Sequence, residues 1–153
     1  PDSGTVKFLE WVNPKGKSLL KIRRYHFGYV FQNYVLMNNK TVKENLLIST
    51  KYDSYKNQSD LIDALERVQL SKNYLDKKVY QLSGGEQQRL AIARILLKPC
   101  TVIFADEPTG NLDDYNKNII LTLFKNLKEN GKTIVCVTHD TDIAKHSDRT
   151  ISL

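Results

Sequence analysis

Three short apolar runs punctuate the chain: Phe27 to Phe31 (FGYVF), Thr101 to Ala105 (TVIFA) and Thr133 to Thr138 (TIVCVT). Apolar residues at successive positions, rather than at every second one, predict strands of a buried parallel sheet. A further strand is predicted at Thr5 to Val12 (TVKFLEWV), rich in β-branched and aromatic residues and broken by Asn13-Pro14-Lys15-Gly16. Between the last two apolar runs, Asp114 to Asn130 carries Ile119, Ile120, Leu123, Phe124 and Leu127 on one side, and Gly131 follows as a C′ residue. Strand, helix, strand in this order is a βαβ unit.

The middle of the chain has a different pattern. Lys17 to Tyr25 could hold a short helix, and Gln32 to Lys40 is polar and irregular. Thr41 with Glu44 three residues later reads as a capping box at a helix start. Residues 52–58 form a polar loop. Ser59 to Gln69 predicts a second helix with Leu61, Leu65 and Val68 on one stripe, and a third, shorter one covers Lys72 to Lys77. Residues 41–78 contain no strand signal and read as a helical insert. A strong helix follows Ser83-Gly84-Gly85 and runs to about Leu97, with Pro99 just beyond. Thr150 to Leu153 is short and strand-like.

The polar chemistry falls where a parallel sheet binds ligands, at the carboxyl ends of its strands. Gln32 follows the first run, Asp106-Glu107 ends the second, and His139 follows the third. A strand that ends in Asp-Glu can hold Mg²⁺ with the first carboxylate and orient a water with the second. Two acids capping a turn would look the same. Ser83-Gly84-Gly85-Glu86-Gln87-Gln88 places two glycines and a hydroxyl at a helix N-terminus, where free N–H groups and about +0.5 charge suit phosphate. An ordinary N-capped helix after a glycine turn is the competing reading of the first three residues, but the eight-residue string LSGGEQQR is far more specific.

These residues resemble the ATP-binding subunit of ABC transporters. LSGGEQQR at 82–89 matches the family's signature motif, Val102 to Glu107 (VIFADE) its Walker B motif, and Asn111-Leu112-Asp113 its D-loop. His139 in Val-Thr-His-Asp matches the switch histidine and Gln32 in Val-Phe-Gln the Q-loop. All five stand in the family's order and span nearly the whole chain. The resemblance implies an α/β fold: a P-loop NTPase-like parallel sheet with helices on both faces plus a helical subdomain, N-terminally truncated. Residues 1–40 and 98–153 would form the sheet core and 41–97 the helical subdomain, which includes the signature helix.

The resemblance also implies roles. Glu107 would be the catalytic base, His139 would contact the γ-phosphate, and Gln32 would contact Mg²⁺ and the attacking water. Asp106 would hold Mg²⁺. Ser83, Gly84, Gly85 and Gln87 would bind ATP on a partner subunit, and Asp113 would act across the interface of a head-to-tail dimer. Transmembrane permease subunits would dock near Gln32 and residues 41–78. The implied place is cytoplasmic, on the inner face of the cell membrane through the permease. Residues 107–113 (EPTGNLD) with Thr138-His139-Asp140 are similar to exporters of lipoproteins, macrolides and antimicrobial peptides.

One motif departs from the family. Walker A requires Gly-x-x-x-x-Gly-Lys-[Ser/Thr]. Gly16-Lys17-Ser18 offers its end, but the first glycine would fall on Trp11. A turn like Pro1 to Gly4 follows Walker A in the family, so the P-loop is expected upstream of Pro1, and this polypeptide alone is expected to bind ATP weakly and turn over essentially none.

Composition adds little to this. The 153 residues are 41% hydrophobic and 26% charged, with a net charge of +6, ordinary for a globular chain with a nucleotide ligand or a Lys-rich surface. Cys100 and Cys136 lie in or beside apolar runs, outside any CxxC spacing, and read as buried reduced thiols. The charge also fits a soluble ABC module acting on a ribosome or DNA, but the modest insert at 41–78 argues against it, and no nucleic-acid partner is expected. A non-catalytic module is the other alternative, should Walker A be truly absent.

Overall fold

The stretch expected as one strand, Thr5 to Val12, folds back on itself. It forms β1 (Lys7–Phe8) and β2 (Trp11–Val12), paired antiparallel. Leu9 turns at φ 51°, and Asn13 closes the loop: its side-chain Oδ1 accepts from Val6 N at 2.8 Å and its own N–H donates to Val6 O at 2.7 Å. A side chain that satisfies the backbone locally competes with a continuous strand. The computed structural model describes residues 3–50, 57–110 and 112–152. Pro1 and Asp2 of the expected opening turn, most of the expected 52–58 loop, Asn111 and Leu153 lie outside the described residues.

Helix α1 (Gly16–Tyr25) leads into β3 (Phe27–Val30). Two further helices, α2 (Val42–Thr50) and α3 (Gln58–Arg67), precede α4 (Gly84–Leu96). The expected third helix of the insert is a single 3-10 turn at Lys72–Tyr74, and a second such turn covers Val79–Gln81. Strand β4 (Val102–Asp106), helix α5 (Asp114–Glu129) and strand β5 (Thr133–Val137) then make the expected βαβ unit. Helix α6 (Thr141–His146), six residues capped by Asp140, was too short to leave a periodic signal. Thr150 to Ser152 form no strand.

The three apolar runs pair in parallel in the order β3-β4-β5. Their register aligns Gly28, Ile103 and Ile134 in one row and Tyr29, Phe104 and Val135 in the next. The Gly28 face is the core face. A Cβ on Gly28 would stand 3.0 Å from the Ile95 side chain and 3.1 Å from Cys100 Sγ, so glycine lets α4 approach the strand closely. Ile103, Ala105 and residues of α4 and α5 belong to one buried cluster. Helices therefore gather on this face. The opposite face carries an aromatic ladder, Phe27 on Phe104 at 5.0 Å and Tyr29 on Phe104 at 5.5 Å, and among the described residues Tyr29, Val135 and Val137 stay exposed there.

The insert is pinned at its base. Thr41 bridges Lys78, Val42 N donates to Lys77 O and Val79 N to Lys40 O. The expected capping box forms: Glu44 N donates to Thr41 Oγ1 at 3.1 Å and Thr41 N to Glu44 Oε2 at 2.7 Å. Leu46, Leu61 and Leu65 are fully buried, as are Leu90 and Ile92 of α4. Each such side chain stabilises the fold by about 1.5–3 kcal/mol relative to exposure. Helix α4 is thus shared, packing on the insert through α2 and α3 and on the sheet through β3. Cys100 is buried as expected, whereas Cys136 is half-buried; both are free thiols, and burial pushes the Cys136 thiol up to about 11.

Candidate functional site

Three chain segments meet at the carboxyl end of the sheet. Asp106 ends β4 opposite Val137 of β5 and is exposed. The next residue, Glu107, leaves the strand in the left-handed region at φ 44°. Such a conformation is costly for a residue with a side chain and is held only by surrounding contacts. Here the contacts are explicit: Glu107 N donates to Val137 O at 2.9 Å, and Gly110 N donates to Glu107 O at 3.1 Å.

The Glu107 carboxylate is turned toward the segment after β5. Its Oε1 accepts from His139 N at 3.0 Å and stands 2.9 Å from His139 Nδ1, while Oε2 accepts from Thr138 Oγ1 at 3.1 Å. An ionised carboxylate only accepts, so His139 Nδ1 carries the proton in this contact. Burial pushes the Glu107 carboxyl up, but the bonds from His139 and Thr138 outweigh it and hold it below its ordinary value. The Glu107 side chain is 19% exposed and that of His139 87%, so the pair has one sheltered and one open member. Gln32 completes the group: its Nε2 lies 3.5 Å from where a Cβ on Gly110 would stand, in the turn that Glu107 opens.

Behind this cluster a second network fixes the histidine turn. Asp140 Oδ2 accepts from Thr109 Oγ1 at 3.1 Å and pairs with Lys117 Nζ at 2.9 Å. Burial raises the Asp140 carboxyl, but the Lys117 ammonium and the Asp142 N–H outweigh it and lower it to about 2. Lys117 also reaches Asp142 at 3.1 Å.

The Ser83–Gly85 loop is built as a helix cap. Ser83 Oγ accepts from Glu86 N at 3.3 Å, and Glu86 Oε2 accepts from Ser83 N at 2.7 Å. Glu86 Oε1 also accepts from Tyr74 Oη at 2.7 Å. The hydroxyl proton of Ser83 is not used by this cap and can still donate to a ligand. Ser83 and Gly84 are exposed, and the N–H groups of Gly84 and Gly85 open α4, where they have no intrahelical acceptor. Gln87 is turned back instead, donating from Nε2 to Leu82 O at 3.0 Å. Buried Gln88 ties α4 to the other cluster, with Nε2 donating to Pro108 O at 2.7 Å. Asp113 caps α5 by accepting from Asn116 N at 2.8 Å.

So the structure joins Glu107 to His139 with Asp106 beside them and the Gln32 amide near Gly110 of the same turn, and sets exposed Ser83 and Gly84 with buried Gly85 at a separate helix start. Several partners had not been singled out. The Ser83-x-x-Glu86 spacing is a capping box that the sequence does show. Thr138 flanks His139 directly. The Thr109–Asp140, Lys117–Asp140 and Gln88–Pro108 contacts join positions 31, 23 and 20 residues apart, and sequence spacing carries no signal for them.

A parallel sheet with Asp-Glu at one strand end, a histidine turn at the next and a capped Gly-Gly helix start defines the class of ATP-binding cassettes. The chain belongs to the ABC transporter family, whose profile matches residues 1–110. A macrolide export ATP-binding/permease protein of Yersinia pestis is 43% identical over 139 residues, covering 89% of this chain and 20% of that protein. The uncharacterized ABC transporter ATP-binding protein YvrO of Bacillus subtilis is 41% identical, covering 99% of this chain and 68% of that one. Among solved structures, the dimeric bacterial ABC transporter cassette MJ0796 superposes with a TM-score of 0.83 at 35% identity, over 97% of this chain and 68% of that one. The same cassette in a post-hydrolysis state, bound to ADP and Pi, gives 0.82 at 34% identity, with the same coverage. The chain thus spans about a fifth of the macrolide export protein and about two thirds of the cassette proteins.

Proposed function

We propose that the chain works in the ATP-binding and ATP-hydrolysing subunit of an ABC-type exporter, coupling hydrolysis to transport by membrane permease subunits. The observation that carries this reading is the Glu107–His139 pair at the carboxyl end of the sheet, with the Gln32 amide beside Gly110 of the turn that Glu107 opens. Glu107 is held ionised and acts as the base. Its Oε1 is occupied by His139, while Oε2 accepts from Thr138 Oγ1 and keeps lone pairs to take a proton from water. A positioned base contributes roughly 10²–10⁴-fold to such a reaction.

His139 gives Nδ1–H to Glu107, so a bond donated from Nε2 to a phosphate oxygen requires the doubly protonated ring. Gln32 orients the water. Asp106 and Gln32 would hold Mg²⁺, whose charge would neutralise that developing on the phosphates. A single carboxylate and an amide suit this ion, which keeps waters and substrate oxygens in its shell.

Ser83, Gly84 and Gly85 would bind the γ-phosphate of ATP seated on a partner subunit, with Asp113 acting across the same head-to-tail interface. Gly16-Lys17-Ser18 opens α1 with Ser18 Oγ bonded to Lys15 O at 2.8 Å, the local bond of a helix start. Residues 1–40 and 98–153 act as the sheet core and 41–97 as the helical subdomain. A cleft of about 310 Å³ lies between them, lined by Leu20, Arg23, Tyr34, Val35, Ile48 and Arg94. Its apolar floor and basic rim suit an amphipathic permease segment that carries a carboxylate. Among the described residues no helix is long and apolar enough to cross a membrane.

The test is phosphate release from ATP by the intact subunit, with co-purification of a permease from membranes. Both are expected, with phosphate release lowered about 10²–10⁴-fold in E107Q. Undiminished hydrolysis by E107Q, or co-purification with ribosomes in place of a permease, would sink it.

A further inference from the structure

Asn116 stands on the first turn of α5, yet its carboxamide serves two other elements. Oδ1 accepts from Nη1 of Arg89, a buried residue of α4. Nδ2 donates to both oxygens of Asp113, at 2.9 and 3.0 Å. A third contact is steric. A Cβ on Gly85 would lie 2.7 Å from Asn116 Nδ2, inside any real van der Waals contact. Gly85 has no positive φ, so its backbone would tolerate a side chain; what requires glycine there is the Asn116 carboxamide packed against it.

Asparagine has the right chemistry for this place. Its carboxamide carries one acceptor and one donor group on a short stem, and here the acceptor meets a cation and the donor an anion. Aspartate would keep Arg89 and repel Asp113. Alanine would take the acceptor from Arg89 Nη1 and leave Asp113 with the residue-116 backbone N–H alone, and a buried guanidinium nitrogen without a partner is costly.

We propose that Asn116 is a positioning residue that sets the spacing between the Ser83–Gly85 loop and Asp113, the two surfaces this chain would offer to a partner's nucleotide. The proposal rests on the dimer reading given above. The bond to Arg89 holds the start of α4, the bonds to Asp113 hold the entry to α5, and the packing on Gly85 keeps the phosphate-facing backbone at a fixed distance from both. Reacting groups must be placed within a fraction of an ångström, and a shift of about 1 Å can cost up to roughly 10²-fold in rate.

The experiment has two arms on N116A and N116D. Amide NMR of the chain should show Gly85 and Asp113 signals displaced together in N116A, and Asp113 displaced more than Gly85 in N116D. Signals of β4 and β5 should stay in place as a fold control. In the intact subunit both variants should lower kcat about ten-fold or more while moving KM for ATP less than about two-fold. Unmoved Gly85 and Asp113 signals, or an unchanged kcat in folded variants, would overturn the proposal. If the unmodified subunit hydrolyses no ATP, the functional reading fails and the NMR arm alone decides whether the tether exists.

Discussion

Glu107 Oε1 and His139 Nδ1 stand 2.9 Å apart, joined across the carboxyl ends of two adjacent parallel strands. The contact exists because Glu107 leaves β4 at φ 44° and turns its carboxylate toward the segment after β5. Parallel register supplies the rest, since Asp106 pairs with Val137 and so sets Glu107 level with the histidine turn.

Replacing either member of this pair separates binding from turnover. In the intact subunit, E107Q should lower phosphate release by about 10²–10⁴-fold. H139A should lose hydrolysis as well, because the Nδ1 contact to Glu107 and the ring itself are gone, while the backbone N–H to Glu107 stays. Nucleotide binding should persist in both, as read by a fluorescent ATP analogue.

The chain as it stands lacks the loop that supplies most contacts to a triphosphate. Calorimetric titration with Mg-ATP should give weak binding, with a Kd well above the micromolar range. Micromolar affinity would show that another part of these 153 residues cradles the phosphates.

Acid should unfold the protein partly through Asp140. Its carboxyl is lowered from 3.8 to about 2 in the folded state. A depressed group contributes stability that is fully present above its unfolded value and is lost as pH falls through the folded one. The contribution should therefore fade between about pH 4 and pH 2. D140N should flatten the fall in unfolding midpoint over that window, measured by thermal denaturation at a series of pH values.

Loss of the Ser83 hydroxyl acts on both stability and function. S83A removes the acceptor for Glu86 N and should cost about 0.5–2 kcal/mol in denaturant unfolding, the usual range for a lost N-cap. S83G, which keeps the cap conformation at a smaller cost, should recover a part of the stability and none of a phosphate contact.

Much of this was legible before the fold was seen. The continuous apolar runs became β3, β4 and β5, and Thr41 with Glu44 formed the capping box that their spacing implies. The polar residues that follow each run converged because parallel strands end on one side of a sheet. What the pattern hid was local or long-range. Thr5 to Val12 broke because Asn13 closes on Val6, a bond between residues seven apart. The glycine at 85 also makes room for Asn116, 31 residues further along, a contact that sequence spacing does not signal. Gln87 reads as part of the motif, yet its amide nitrogen is turned onto Leu82.

Ser83 to Gly85 are proposed to complete a nucleotide site on a second subunit. The most direct measurement is the ATP-dependent association of intact E107Q subunits, followed by size-exclusion chromatography with light scattering. A dimer should form with ATP and a monomer remain without it, and S83A combined with E107Q should abolish the dimer. A species that stays monomeric with ATP, or a dimer indifferent to both ATP and Ser83, would contradict it.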